Sequence, residues 1–379
     1  MSGTAAAIGF IFTLVLVILI HEASHFIMAK RFDIKVEEFF VGFGPRLFSF
    51  RRGETEYGIK AIILGGYVRI TGMNPFEETN EADLPRSYGS KPRWKRALVI
   101  AAGPVSHFVM AGLILWLYLV FVGQPTKFSA QIGAVEPKLN GIESPASAAG
   151  FEAGDVIVSI DGEPVDADNF TKILRADTQG ESLTFVVKRD GEQVTLVAAP
   201  TMAKAGGDEE VPRLGVLMSG GTILERDRPG PVSAVGESAQ ITWSATRQVV
   251  ASIGRVFGPQ GIGRMFTLLF GDAQRSVEDP FSVVGGARIA SQVAESGQFD
   301  AFVFLFVSFN VFVGLLNLLP LPPFDGGHLA VLAIEKITGR EVDMKKVVPV
   351  SAVIASLLIA FTLATVYLDL VKPVPNLFP

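Results

Sequence analysis

His21, Glu22 and His25 fall within about one turn of helix, in the run His21-Glu22-Ala23-Ser24-His25. Side chains four apart share a helical face, so both imidazoles can reach a single zinc ion. The glutamate beside the first histidine is then placed to take a proton from a metal-bound water. The pattern is short and also occurs by chance in soluble helices. Here it sits in an apolar stretch, residues 5–29, whose only formal charge is Glu22. An unpaired ionisable group in hydrocarbon costs several kcal/mol, so three such residues in one turn point to function more than to a polar helix contact.

The composition supports a lipid setting. Hydrophobic residues make up 49% of the 379 residues, charged residues only 19%, and mean hydropathy is +0.40; soluble domains carry about 25% charged residues. Disorder is excluded, since it needs low hydrophobicity with high net charge. A net charge of −5 offers no general attraction to nucleic acid. With no cysteine, the chain has no disulfides, no iron–sulfur cluster and no thiol nucleophile, and any metal must be held by His, Asp or Glu.

There are four histidines, His21, His25, His107 and His328, all in or beside apolar stretches. A third ligand is therefore a carboxylate or one of the other two histidines. Asp325 leads, in Asn317-Leu318-Leu319-Pro320-Leu321-Pro322-Pro323-Phe324-Asp325-Gly326-Gly327-His328. Its prolines break the helix, and broken backbone at membrane depth is tolerated only where it lines a cavity or water. The glycines permit a tight turn close to a bound group.

Four stretches are long enough to span about 30 Å of hydrocarbon: residues 5–29, 97–122, 301–319 and 347–368. The first lacks the basic start and cleavage site of a secretory signal, so it reads as a retained helix, with a signal anchor as the alternative. Residues 31–96 and the short loop with Lys336, Arg340, Lys345 and Lys346 are rich in cations and are expected in the cytoplasm. Residues 123–300 hold 23 acidic against 15 basic residues and are expected outside. On that topology His21 and Asp325 reach similar depths toward the cytoplasmic side.

The outer segment contains alternating strands at 156–160, 183–188 and 193–199, with turns at Asp161-Gly162 and Asp190-Gly191 and a further strand near 214–217. Short helices are expected at 144–151 and 170–176. Residues 232–257 predict an amphipathic helix, either in the membrane interface or packed on the outer domain.

With these motifs in place, the chain resembles the site-2 proteases, the intramembrane zinc metalloproteases, and within them the bacterial regulator-of-sigma-factor type with one PDZ domain. The resemblance rests on His21-Glu22-x-x-His25, Val41-Gly42-Phe43-Gly44-Pro45, Leu64-Gly65-Gly66-Tyr67-Val68, Ala102-Gly103-Pro104, the Ala149-Gly150-x-x-x-Gly154-Asp155 run and the Asn317-to-Gly327 motif. It implies a polytopic α-helical membrane protein with four transmembrane helices, a membrane-associated β-loop or sheet and one extracytoplasmic PDZ domain of α+β type. The expected segments are 1–122, the PDZ domain at 124–220, an amphipathic helix and linker at 231–299, and a C-terminal membrane part at 300–379.

It further implies that His21, His25 and Asp325 hold Zn²⁺, which would acidify a water and polarise the scissile carbonyl. Glu22 would be general base and then proton donor to the leaving amine. Asn317 would hold substrate backbone. Gly42, Phe43 and Gly44 would form a re-entrant β-loop, and Gly65, Gly66 and Tyr67 a strand that pairs with unwound substrate. Substrates would be single-span membrane proteins, such as anti-sigma factors first trimmed by an upstream site-1 protease, or remnant signal peptides. The setting would be the bacterial inner (plasma) membrane, with the active site toward the cytoplasm.

Some roles stay open. The PDZ domain would filter by size or bind peptide C-termini. The family usually has Asn where this chain has His107, which would serve near the active site, as a spare ligand, or in a helix–helix hydrogen bond. His328 is expected to support the Asp325 loop. A pseudoprotease scaffold and a zinc transporter are the competing readings. The intact Glu22 and Asp325 oppose the first, and a transporter would want paired polar groups along several spans, which only the first and third supply.

Overall fold

The computed structural model describes residues 3–374 except 75, 177–179, 205–209, 277 and 297. Residues 1–2 and 375–379, at the ends of the first and last expected segments, lie outside the described residues. The chain divides into two compact units, Met1–Trp116 with Val235–Pro379, and Leu117–Ala234.

Helix α1 (Gly3–Arg31) is apolar until His21 and ends in Lys30 and Arg31, cations that suit the negative end of a helix dipole. Strands β1 (Val36–Arg52) and β2 (Thr55–Ile70) follow. They are longer than the separate loop and strand expected from the sequence, and each bends. Residues 46–52 pair with 55–60, which also pair with 38–41; the other side of 38–41 pairs with 66–70. Two bent strands thus lay out four rungs, with 66–70 at an outer edge. Gly42 and Gly44, at φ +88° and +85°, sit at the bend. Ala29, Ile34, Val36, Ile70, Val99 and Ile100 form the core that fixes this sheet to α1 and to α2 (Arg93–Phe121).

The second unit is a β-rich module. In chain order it contains β3 (Gln124–Phe128), β4 (Ala130–Val135), β5 (Lys138–Leu139), β6 (Ile142–Glu143), α3 (Pro145–Ala149), β7 (Val156–Ile160), β8 (Glu163–Pro164) and α4 (Phe170–Ala176). Then come β9 (Leu183–Arg189), β10 (Glu192–Ala198), β11 (Thr201–Lys204), β12 (Glu210–Arg213), β13 (Val216–Ser219) and β14 (Ile223–Asp227). The main sheet has the order β10-β9-β7-β4-β13, with β8 on β7. Ile132, Ile157, Ile160, Leu183, Phe185 and Val187 fill the core. Asp155 explains the Gly154-Asp155 pair. Its buried carboxylate receives Arg189 Nε at 2.7 Å and Nη2 at 2.8 Å, and the Glu152 N–H at 2.9 Å. Burial alone would raise this carboxyl, but the Arg189 guanidinium outweighs it and holds it below its ordinary value.

The chain continues through α5 (Ser233–Phe257), α6 (Pro259–Phe270), α7 (Val283–Glu295), α8 (Phe299–Leu318), α9 (Asp325–Thr338) and α10 (Met344–Val371). Residues 258–299, expected as linker, therefore hold two helices. Helix α7 packs on α1 and α10: Gly286 lies against Phe10, and Gly285 against the Asp369 carboxylate. Asp369 also accepts from Arg275 Nη1 (2.6 Å), Ser282 N (2.7 Å) and Ser282 Oγ (2.6 Å), so its buried charge is fully partnered.

Among the described residues, four helices are long and apolar enough to cross a membrane: Ile8–Arg31, Arg93–Phe121, Phe299–Leu318 and Met344–Val371. Helix α10 exposes Val353, Leu357, Ile359 and Leu363, with Leu357 65% exposed. An apolar surface of that extent is stable against lipid rather than water. The protein is an integral membrane protein.

Candidate metal and active site

Helix periodicity puts His21 and His25 on one face of α1, with ring centroids 4.7 Å apart and Nε2 atoms 3.1 Å apart. Both are buried where α1 meets α2. His25 Nδ1 donates to the Val99 carbonyl of α2 at 2.8 Å, which turns its Nε2 toward His21. Gly103, also on α2, makes this packing possible. A Cβ there would lie 2.6 Å from His25 Cε1 and 2.7 Å from His21 Cε1.

Asp325 completes the group. Its Oδ2 lies 3.2 Å from His21 Nε2 and 3.3 Å from His25 Nε2. The sequence suggests a loop position, but Asp325 is the first residue of α9, with Phe324 as N-cap. The positive end of a helix dipole favours a carboxylate there. The carbonyls of Leu318 and Leu319 crowd Gly326, so the proline turn between α8 and α9 is tightly folded.

The three atoms could hold a metal ion. Zinc bonds imidazole and carboxylate at ~2.0–2.1 Å, and a tetrahedral site of that radius separates its ligand atoms by about 3.3 Å. The observed separations of 3.1, 3.2 and 3.3 Å match. Oδ2 of Asp325 is buried without a hydrogen-bond partner among the described residues, as a ligand atom reserved for a cation would be.

Glu22 projects from the same turn, within electrostatic reach of His21, His25 and Asp325. A side chain at Gly66 would start 3.3 Å from Glu22 Cγ, and Glu22 meets the backbone of Val68. The outer edge of the sheet therefore runs beside the carboxylate. Of the sequence candidates, Gly66 lies against the histidine turn, beside the Glu22 side chain. Gly65 packs against the Phe43 ring. Tyr67 stacks between Phe40 and Phe43, accepts from Lys60 Nζ at 2.7 Å and donates to Glu38. Burial, then Glu38, pushes its phenol above the ordinary value.

Asn317 lies half-buried in the last turn of α8. His328 lies one turn into α9, on the wall of a cleft of about 510 Å³ shared with Glu38, Met73, Glu77 and residues 67–70. It borders this cleft together with the edge strand, and it lies within electrostatic reach of Asp325. His107 places Nε2 3.0 Å from His21 Nδ1. It is thus both a helix–helix partner and a neighbour of the site. The sequence signals for Gly103 and His107 are a glycine and a lone histidine in an apolar helix, but neither reveals which way that helix is turned.

A family model and full-length relatives match this chain. A family model described as Peptidase family M50 matches residues 9–361. The zinc metalloprotease Rip1 of Mycobacterium tuberculosis is 32% identical over 96% of this chain and 97% of its own length. Rip1 of Mycolicibacterium smegmatis is 32% identical over 93% of this chain and 94% of its own. Among solved structures, the PDZ domain of the SdrC-like protein from Listeria innocua covers 25% of this chain and 98% of that chain, at 19% identity and a TM-score of 0.21.

Proposed function

The chain belongs to peptidase family M50 and is a zinc metalloprotease of membranes, and from that premise we propose that it cuts single-span proteins within their transmembrane segments. The observation that carries this reading is the convergence of His21, His25 and Asp325 beside Glu22, on helices of membrane-spanning length.

His21 Nε2, His25 Nε2 and an Asp325 oxygen hold Zn²⁺. Bound zinc supplies Lewis acidity, acidifying water and polarising a carbonyl oxygen. Glu22 accepts the proton released from the attacking water and returns it to the leaving amine. The edge at residues 66–70 adds an unwound substrate segment as a further strand, which exposes peptide bonds that a helix would hide. Asn317 steadies the substrate backbone. Val99 and Gly103 keep the imidazoles in register by one hydrogen bond and one close contact.

Cation-rich residues 31–96 and 336–346 face the cytoplasm, and the β-rich module, read as a PDZ domain, lies outside. The membrane is the bacterial inner membrane. Substrates are proteins already shortened on the outer side by a first protease, such as anti-sigma factors, together with remnant signal peptides.

The test is cleavage of a purified single-span substrate by the purified protein, with the cut located by mass spectrometry. Cleavage inside the transmembrane segment is expected. Cleavage confined to soluble loops would contradict the proposal.

A further inference from the structure

A neutral imidazole that gives its Nε2 lone pair to a metal must carry its proton on Nδ1, and that proton needs an acceptor. For His25 the acceptor is the Val99 carbonyl. For His21 the facing atom is Nε2 of His107, at 3.0 Å. If His107 accepts there, its own proton sits on Nδ1, and that atom is buried without a hydrogen-bond partner among the described residues.

Helix α8 supplies the complement. It passes the His107 Cβ at Gly314, and Asn310 lies one turn earlier on the same face, fully buried. Asn310 Nδ2 donates to the Phe306 carbonyl at 3.0 Å, which orients the amide. Its Oδ1 is a second buried atom without a hydrogen-bond partner among the described residues, and Asn310 lies within interaction reach of His107. An N–H and a C=O, both orphaned, thus sit on adjoining helices. Buried polar groups left unpaired are costly, so the two belong together.

We infer that Asn310 and His107 form a relay that fixes the tautomer of His21: Asn310 Oδ1 accepts from His107 Nδ1, and His107 Nε2 accepts from His21 Nδ1. His21 Nε2 is thereby left free for zinc. His107 is a positioning residue, not a ligand, because its Nε2 faces the side of the His21 ring away from His25 and Asp325. The inference rests on His21, His25 and Asp325 being the ligands.

The experiment measures zinc affinity of the full-length protein in detergent, by competition with a chromophoric chelator, on variants that elute and fold as the parent does. His107→Leu is expected to weaken zinc binding by roughly 10–100-fold, the usual effect of losing an outer-shell partner. Asn310→Leu weakens it in the same direction by less. His107→Gln, whose amide oxygen can still accept from His21, recovers most of the loss, which a purely space-filling role would not do. Parent-like affinity in His107→Leu overturns the relay, and Asn310→Leu decides in the same way if His107→Leu does not fold. Asp325→Ala is the control. If it loses zinc while His107→Leu and Asn310→Leu bind normally, the relay alone is wrong. If it keeps zinc, the ligand assignment fails and takes the relay with it.

Discussion

Oδ2 of Asp325 stands 3.2 Å from Nε2 of His21, joining the first turn of α9 to the C-terminal half of α1. This contact depends on how α9 is held. Glu335 of α9 receives Arg96 Nη2 of α2 at 3.0 Å and the Val342 N–H at 3.2 Å, and its side chain is 6% exposed. Helix α2 therefore braces both sides of the triad: Val99 and Gly103 set the imidazoles, and Arg96 anchors the helix that brings the carboxylate.

Glu22→Gln keeps the size of the side chain and removes its basicity. Zinc content is expected to stay at the parent level while the cleavage rate falls by about 10²–10⁴-fold or more, the contribution typical of general acid–base catalysis. Metal analysis beside a cleavage assay checks both halves. Parent-like turnover would remove Glu22 from the mechanism.

Gly103→Ala gives a sign that propensity alone would reverse. Alanine in a helix interior is favoured over glycine by about 1 kcal/mol, so an unconstrained site would gain stability. Here the methyl would press on both imidazoles. The expected result is zinc affinity at least about tenfold weaker, on the scale of outer-shell disruption, with helix content unchanged in circular dichroism. Unchanged affinity would show that the rings do not need this glycine.

Asp369 is remote in role from the triad. Removing one partner of a buried ion pair costs about 3–5 kcal/mol, and Asp369→Ala would strand Arg275 and the Ser282 and Gly285 N–H groups. The thermal unfolding temperature in detergent should fall markedly, while the folded fraction still binds zinc. Loss of zinc from well-folded protein would mean that α7 and α10 support the metal site directly.

Glu54 sets an acid limit. It sits at the β1–β2 turn, bonded to Arg86 Nη1 at 2.6 Å and to Lys30, and Arg86 in the first place holds its carboxyl at about 2. A carboxyl whose folded value is depressed stabilises fully above its unfolded value, about 4.3. That contribution fades as pH drops from there toward about 2. Glu54→Gln should be less stable than the parent near neutrality and should show a flatter decline across that window. Parallel stability curves for the two proteins would contradict the assignment.

Much of the fold and of the site is legible in the amino-acid sequence. The spans can be read because length and absence of charge suffice, and His21, Glu22, His25 and Asp325 because ionisable groups stand out in apolar sequence. The module's Asp161-Gly162 and Asp190-Gly191 turns are legible from composition, and all four residues adopt positive φ. Other elements are not. Helix α7 contains Gly285-Gly286, which lowers its intrinsic propensity; its packing against Phe10 and Asp369 overrides that. Helix α9 has Gly326-Gly327 in its first turn, directly after a proline turn, so its sequence reads as loop. The four-rung sheet is hidden because bends at Gly42 and Gly44 interrupt the alternation. The contact of His107 with His21 depends on the rotation of α2 about its axis, which tertiary packing alone decides.

The central claim is that α1 and α9 share one zinc ion through two imidazoles and a carboxylate. Zinc content of the purified full-length protein, compared with His25→Ala and Asp325→Ala, tests it most directly. Stoichiometric zinc in the parent, lost from both folded variants together with chelator-sensitive proteolysis, is the predicted result. Zinc retained at the parent level in Asp325→Ala would contradict it.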